Sequence, residues 1–125
     1  VGETRAEREA GQAPAVIGRQ LDGSLPDDAG KVVVAYEPVW AIGTGLTPTP
    51  GDTGIMHGFI RERLGLRCGS AADAVRILYG GSVQGDNAAE VLRTNEVGGT
   101  LVGGARLTAE SFLGIVAAAA ELIEN

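Results

Sequence analysis

Three short, largely apolar runs, Val32 to Tyr36, Val75 to Tyr79 and Thr100 to Val102, each give way to a loop bearing glycine or proline. The first two are nearly continuous in hydrophobicity, as strands must be when a parallel sheet is covered on both faces. Around them, Arg5 to Leu21, Thr53 to Leu64, Asn87 to Arg93 and Ser111 to Ile123 carry apolar residues at helical spacing. Val1-Gly2-Glu3 reads as the trailing end of a further strand. Strand alternating with helix predicts parallel strands joined by right-handed crossovers, an α/β fold.

Composition narrows the function classes. A chain of 125 residues, 44% hydrophobic and without a run long enough to span a bilayer, suits one small domain with no membrane role. Its net charge of −6 comes from interspersed acidic and basic residues and leaves no basic patch for nucleic acid. The 20 glycines follow no collagen-like period and are expected at turns and close backbone approaches. The single cysteine, Cys68, excludes an internal disulfide and fits a reducing, cytoplasmic compartment. It reads as a small residue in the loop before the second apolar run. No charged-then-apolar leader opens the chain, so secretion is not expected.

Candidate chemistry begins with Ala35-Tyr36-Glu37-Pro38-Val39-Trp40-Ala41-Ile42-Gly43-Thr44-Gly45, directly after Val32-Val33-Val34. It sets one carboxylate at a strand end, followed by a loop with proline at its start and glycines at its end. A stiff segment between bendable joints is the composition of a lid hinged over a site. On spacing alone, a glutamate so placed is more often a helix cap or a solvated residue. Gly80-Gly81-Ser82 and Gly103-Gly104 also follow predicted strands. There, backbone N–H groups can converge on a phosphate because no side chain blocks the approach. Glycine pairs also make tight strand-to-helix turns with no ligand.

Together these segments resemble triosephosphate isomerase. The likeness runs through Val1-Gly2-Glu3-Thr4 with Glu7-Arg8-Glu9-Ala10-Gly11, then Ala35 to Gly45, Tyr79-Gly80-Gly81-Ser82-Val83 and Leu101-Val102-Gly103-Gly104-Ala105, in the family's order. It implies a (β/α)8 TIM barrel of roughly 250 residues, of which residues 1–125 would be the last four βα units, the carboxy-terminal half of a single domain. It implies isomerisation of dihydroxyacetone phosphate to glyceraldehyde 3-phosphate through an enediolate, within glycolysis and gluconeogenesis, with no cofactor and no metal. Glu37 would be the base, Pro38 to Leu46 the lid, and the amides of Gly43, Ser82, Gly103 and Gly104 the phosphate clasp. Ile42 and Leu101 would clamp over the base, Tyr79 and Ser82 hold the lid closed, and Glu3 with Trp40 hold it open. The partners implied are a triose phosphate substrate and, for the full-length protein, a second copy in a homodimer. Another phosphate-binding β/α-barrel enzyme and a non-catalytic half-barrel are the competing readings.

Other features of the family pattern are missing or altered. A carbonyl-polarising histidine and a lysine from the first strand's loop are expected of the family and have no counterpart here. His57, the only histidine, reads as a surface or half-buried helix residue, and Lys31, the only lysine, precedes a strand and belongs at the barrel's far end. A base without its electrophile should be nearly inert. Gly51 and Gly54 should weaken the helix start after Thr49-Pro50 by about 1 kcal/mol each. Gly98 replaces a usual Asp or Asn, and Arg106, standing where a serine is usual, is expected to point into solvent.

Overall fold

The computed structural model describes every residue except Gly43, Ala105, Arg106 and Asn125. Three parallel strands, β1 (Val34–Tyr36), β2 (Ile77–Tyr79) and β3 (Gly99–Thr100), lie side by side in that order. Val34 is opposite Ile77, Tyr36 opposite Tyr79 and Tyr79 opposite Thr100. Val1 to Glu3 runs beside β1, with Val1 N donating to Ala35 O at 2.8 Å, Glu37 N to Val1 O at 2.8 Å and Val39 N to Glu3 O at 3.0 Å. The expected extra strand is thus represented by ladder-like bonds. On its outer side, the Gln20 amide satisfies both backbone groups of Gly2, at 2.8 and 3.1 Å.

The helices are α1 (Arg5–Glu9), α2 (Ala13–Ser24), α3 (Pro50–Cys68), α4 (Ala88–Arg93) and α5 (Ala109–Glu124). The single helix expected over Arg5 to Leu21 is two. A capping box of Thr4 and Glu7 starts α1, Gly11 turns the chain at φ 71°, and Pro14 sits in the first turn of α2. Proline there sacrifices only an N–H that lacks a helical partner anyway.

Helix α3 is longer than Thr53 to Leu64. Thr49 accepts from Asp52 N at 3.1 Å and Pro50 opens the first turn, so the start holds despite Gly51 and Gly54. Gly54 is buried, and a Cβ there would meet Thr94 and Asn95 at 3.5 Å, so glycine permits close packing. Cys68 is the last residue of α3 rather than a loop residue, its thiol donating to Leu64 O at 3.0 Å, and Gly69 ends the helix at φ 59°.

The strands are shorter than the apolar runs because turns consume their ends. Val32 N and Val75 N each close a 3-10 turn, on Ala29 O and Ala72 O. Asn87 is the N-cap of α4 rather than its first residue, and reciprocal Thr108–Ser111 bonds start α5 two residues early.

The core lies between the sheet and helices α2 and α3. Ile17, Leu21, Ile60, Leu64, Tyr36 and Ile77 are each no more than 1% exposed. Val34, Tyr36, Ile77 and Tyr79 face these helices, while the alternate residues Ala35 and Leu78 are only half-buried. One face of the sheet is therefore covered, where burial on both was expected.

Candidate active site at the carboxyl ends of the strands

Glu37 follows β1 immediately, and its seat is made by two glycines. A Cβ at Gly80 would strike the Glu37 side chain, and a Cβ at Gly2 would strike its carbonyl oxygen. Gly80 N donates to Tyr36 O at 2.8 Å, so the loop after β2 is pinned against the base of this carboxylate. The first expected glycine pair thus makes room for an acid as well as a turn.

The segment after Glu37 starts rigidly. Pro38 is buried, Val39–Ala41 forms a 3-10 turn, and Ala41 has no exposure. Trp40 Nε1 donates to Glu3 Oε1 at 3.1 Å, and Tyr36 donates its hydroxyl to the same carboxylate at 2.9 and 3.1 Å. Burial, then the Glu3 charge and hydrogen bond, push the Tyr36 phenol well above its usual range. Farther along, Thr44 donates to Trp40 O at 2.8 Å and Gly45 turns at φ 74°. Ile42 and Leu101 are 52% and 39% exposed, so neither is buried over Glu37 here.

Ser82, Gly103 and Gly104 come together. They line one cavity of about 600 Å³, together with Gln84, Asp86 and Ser111 among others. A Cβ at Gly103 or Gly104 would meet nothing, which leaves their backbone open to a ligand. Gly43, expected as the fourth amide, and Arg106 lie outside the described residues. The Tyr79 hydroxyl lies against Gly81, and burial raises its pKa.

His57 is not a surface or half-buried residue; it is fully buried. Thr53, His57, Ile60 and Leu64 form one stripe of α3, a pattern visible in the sequence once the helix is extended to Pro50. The imidazole stands edge-on to Tyr36, at 5.7 Å between centroids, and 6.3 Å from Tyr79. Its Nδ1 is 3.1 Å from Glu96 O, which assigns the proton to Nδ1, and Nε2 has no partner among the described residues. Burial lowers its pKa. Lys31 is exposed and pairs with Asp28 at 2.9 Å, on the turn before β1 and so away from Glu37. Among the described residues, no group of three or more His, Cys, Asp or Glu side chains is placed to hold a metal.

Sequence reasoning passed over Arg8. Its guanidinium reaches Glu3 at 3.4 Å and Asp52 at 3.2 Å, and lies 4.8 Å from the Trp40 ring centroid. The signal available was the Thr4–Glu7 capping box, which sets the register of the short helix that carries it.

Comparison with known proteins decides the family. The sequence model of triosephosphate isomerase matches residues 1–119. The chain belongs to the triosephosphate isomerase family. The triosephosphate isomerase of Rhodopseudomonas palustris strain BisA53 is 61% identical over 119 residues, which cover 94% of this chain and 47% of that protein. That of Afipia carboxidovorans is 58% identical over 94% of this chain and 48% of its own length. The crystal structure of triosephosphate isomerase from Bartonella henselae superposes with a TM-score of 0.86 at 43% identity, covering 96% of this chain and 49% of that one. The chain thus spans about half the length of the triosephosphate isomerases it matches.

Proposed function

We propose that residues 1–125 are the carboxy-terminal half of a TIM-barrel subunit that interconverts dihydroxyacetone phosphate and glyceraldehyde 3-phosphate. The observation that carries this reading is that Glu37, at the end of β1, is seated on Gly80, in the loop after β2 whose Ser82 lines one cavity with Gly103 and Gly104. Active sites of such barrels are built at this face, with a phosphate site after the seventh and eighth strands. In this reading, β1, β2 and β3 are the sixth, seventh and eighth strands, and Val1 to Glu3 is the end of the fifth.

The chemistry assigned to these residues is proton transfer. Glu37 takes a proton from one substrate carbon, leaving an enediolate, and the resulting carboxylic acid returns a proton to the neighbouring carbon. Amides of Gly43, Ser82, Gly103 and Gly104 hold the phosphate, and no bond to phosphorus changes. Pro38 to Leu46 closes as a lid, bringing Ile42 and Leu101 over Glu37 while Tyr79 and Ser82 secure the closed position. Closure excludes water and makes the carboxylate's surroundings apolar. A lysine and a carbonyl-polarising group come from the other half, because Lys31 sits at the opposite strand ends. The full-length subunit works as a homodimer in a reducing compartment.

An isomerase assay on the full-length protein, with Glu37→Gln alongside, tests the reading. Activity in the parent and its loss in Glu37→Gln is expected. Turnover that survives Glu37→Gln, or a parent that acts on other sugar phosphates only, overturns it.

A further inference from the structure

Building on the lid reading above, we propose that Arg8 is a positioning residue for the lid, which couples the lid's entry to the start of the helix that follows it. The entry is Pro38 to Ala41, with Trp40 bound to the fully buried Glu3. Three residues beyond the lid, Thr49 caps α3 by bonding both the amide and the carboxylate of Asp52, at 3.1 and 2.8 Å. Arg8 lies over Trp40 at the entry and pairs with Asp52, the residue that Thr49 caps. One guanidinium nitrogen reaches Glu3 at 3.4 Å, the other reaches Asp52 at 3.2 Å, and Cζ lies over the Trp40 ring, 4.8 Å from its centroid.

The chemistry suits arginine. Glu3 accepts from Tyr36, Trp40 and Arg8, and among the described residues Arg8 is its cationic partner. A buried carboxylate held by neutral donors alone is costly, so the cation stabilises the arrangement in which Trp40 is docked on Glu3. The same group lies over the indole and reaches a second carboxylate, which an ammonium cannot do at once. Asp52 keeps the guanidinium in register from outside, at 42% side-chain exposure. Arg8 thus favours the lid position with Trp40 docked, and opposes closure until substrate binding overcomes it.

The test uses the full-length protein labelled with 5-fluorotryptophan, with the Trp40 resonance assigned by its loss in Trp40→Phe. In Arg8→Met, the solvent-isotope shift of the Trp40 fluorine should rise as the ring undocks. The Kd for glycerol 3-phosphate, a non-reacting triose phosphate, should fall by about two- to tenfold because closure is opposed less. Asp52→Asn, which does not touch the indole, should move both readouts in the same direction by less, and Arg8→Lys should restore part of the shift. A merely structural role predicts weaker ligand binding, not tighter. Folded variants with an unmoved Trp40 signal, or with a raised Kd, overturn the proposal. If Arg8→Met does not fold, an unmoved Trp40 signal in Asp52→Asn overturns it. If the parent shows no isomerase activity, the functional reading fails while the Trp40 exposure still tests Arg8.

Discussion

Around β1, a glutamate with no exposed surface is gripped by Tyr36, Trp40 and Arg8, whereas beyond β3 the helix α5 buries only Ile115 and leaves Phe112, Leu113 and Val116 44%, 62% and 44% exposed. The base side of the candidate site has its supporting contacts within these residues. The phosphate side has its loops, but its helix presents an apolar face of the kind that another part of a barrel would cover. On the reading proposed above, that contrast is how one chain would seat Glu37 well and still fall short of a working site. On the half-barrel reading proposed above, the half-covered sheet, with Ala35 and Leu78 on its open face, would have the same cause.

The largest effects should come from the two packing regions in the full-length protein. Ile60→Ala, in the covered core, is expected to cost about 2–5 kcal/mol. Phe112→Ala should cost a comparable ~3 kcal/mol if the missing half buries α5. Urea unfolding measures both, and a Phe112→Ala cost within about 0.5 kcal/mol would mean that α5 is an ordinary surface helix.

On the base side, Glu37→Asp withdraws the carboxylate by about 1 Å, and turnover should fall on the order of a hundredfold. Gly80→Ala attacks the same seat indirectly by forcing the Glu37 side chain to move. Its kcat should fall by about tenfold, with less effect on stability than Ile60→Ala. Steady-state assays of both variants would break the comparison if turnover were unchanged. Loosening the lid's entry should have a smaller effect. Glycines at Val39 and Trp40 remove the indole that docks on Glu3, and a few-fold rise in phosphate elimination from the enediolate is expected, measured as inorganic phosphate released per turnover.

The smallest effect is a pH dependence of the covered side. His57 is surrounded by Tyr36, Tyr79, the Glu96 carbonyl and Arg61, and burial lowers its folded pKa below the ordinary value of 6.5. The unfolded chain then takes up the proton first as pH falls, so the contribution is full above about 6.5 and is lost on acidification below it. In His57→Asn, stability should change less between about pH 7 and pH 5 than in the parent. An equal slope in both would show that His57 does not titrate on unfolding.

What could be read from the sequence follows the same division. Strand and helix alternation and the strand-end position of Glu37 were visible because each rests on local pattern and turn chemistry, whereas the grouping of Ser82 with Gly103 and Gly104 came from the family resemblance. His57 was misread because its burial depends on helix register, and α3 starts earlier than its glycines suggested. The break at Gly11 was missed because apolar periodicity continues across it while the backbone does not. Arg8 was invisible for a different reason. Its partners Glu3, Trp40 and Asp52 meet only after the chain has passed through β1 and returned to α3.

The central claim is that these residues are one half of an isomerase site, carrying the base and phosphate loops without the lysine and electrophile. An isomerase assay on the purified 125-residue chain, alone and mixed with the missing amino-terminal half, tests it most directly. The account predicts negligible turnover alone, from a chain prone to aggregate through its uncovered α5 and open sheet face, and measurable turnover on mixing. Robust activity from the 125 residues alone would contradict it.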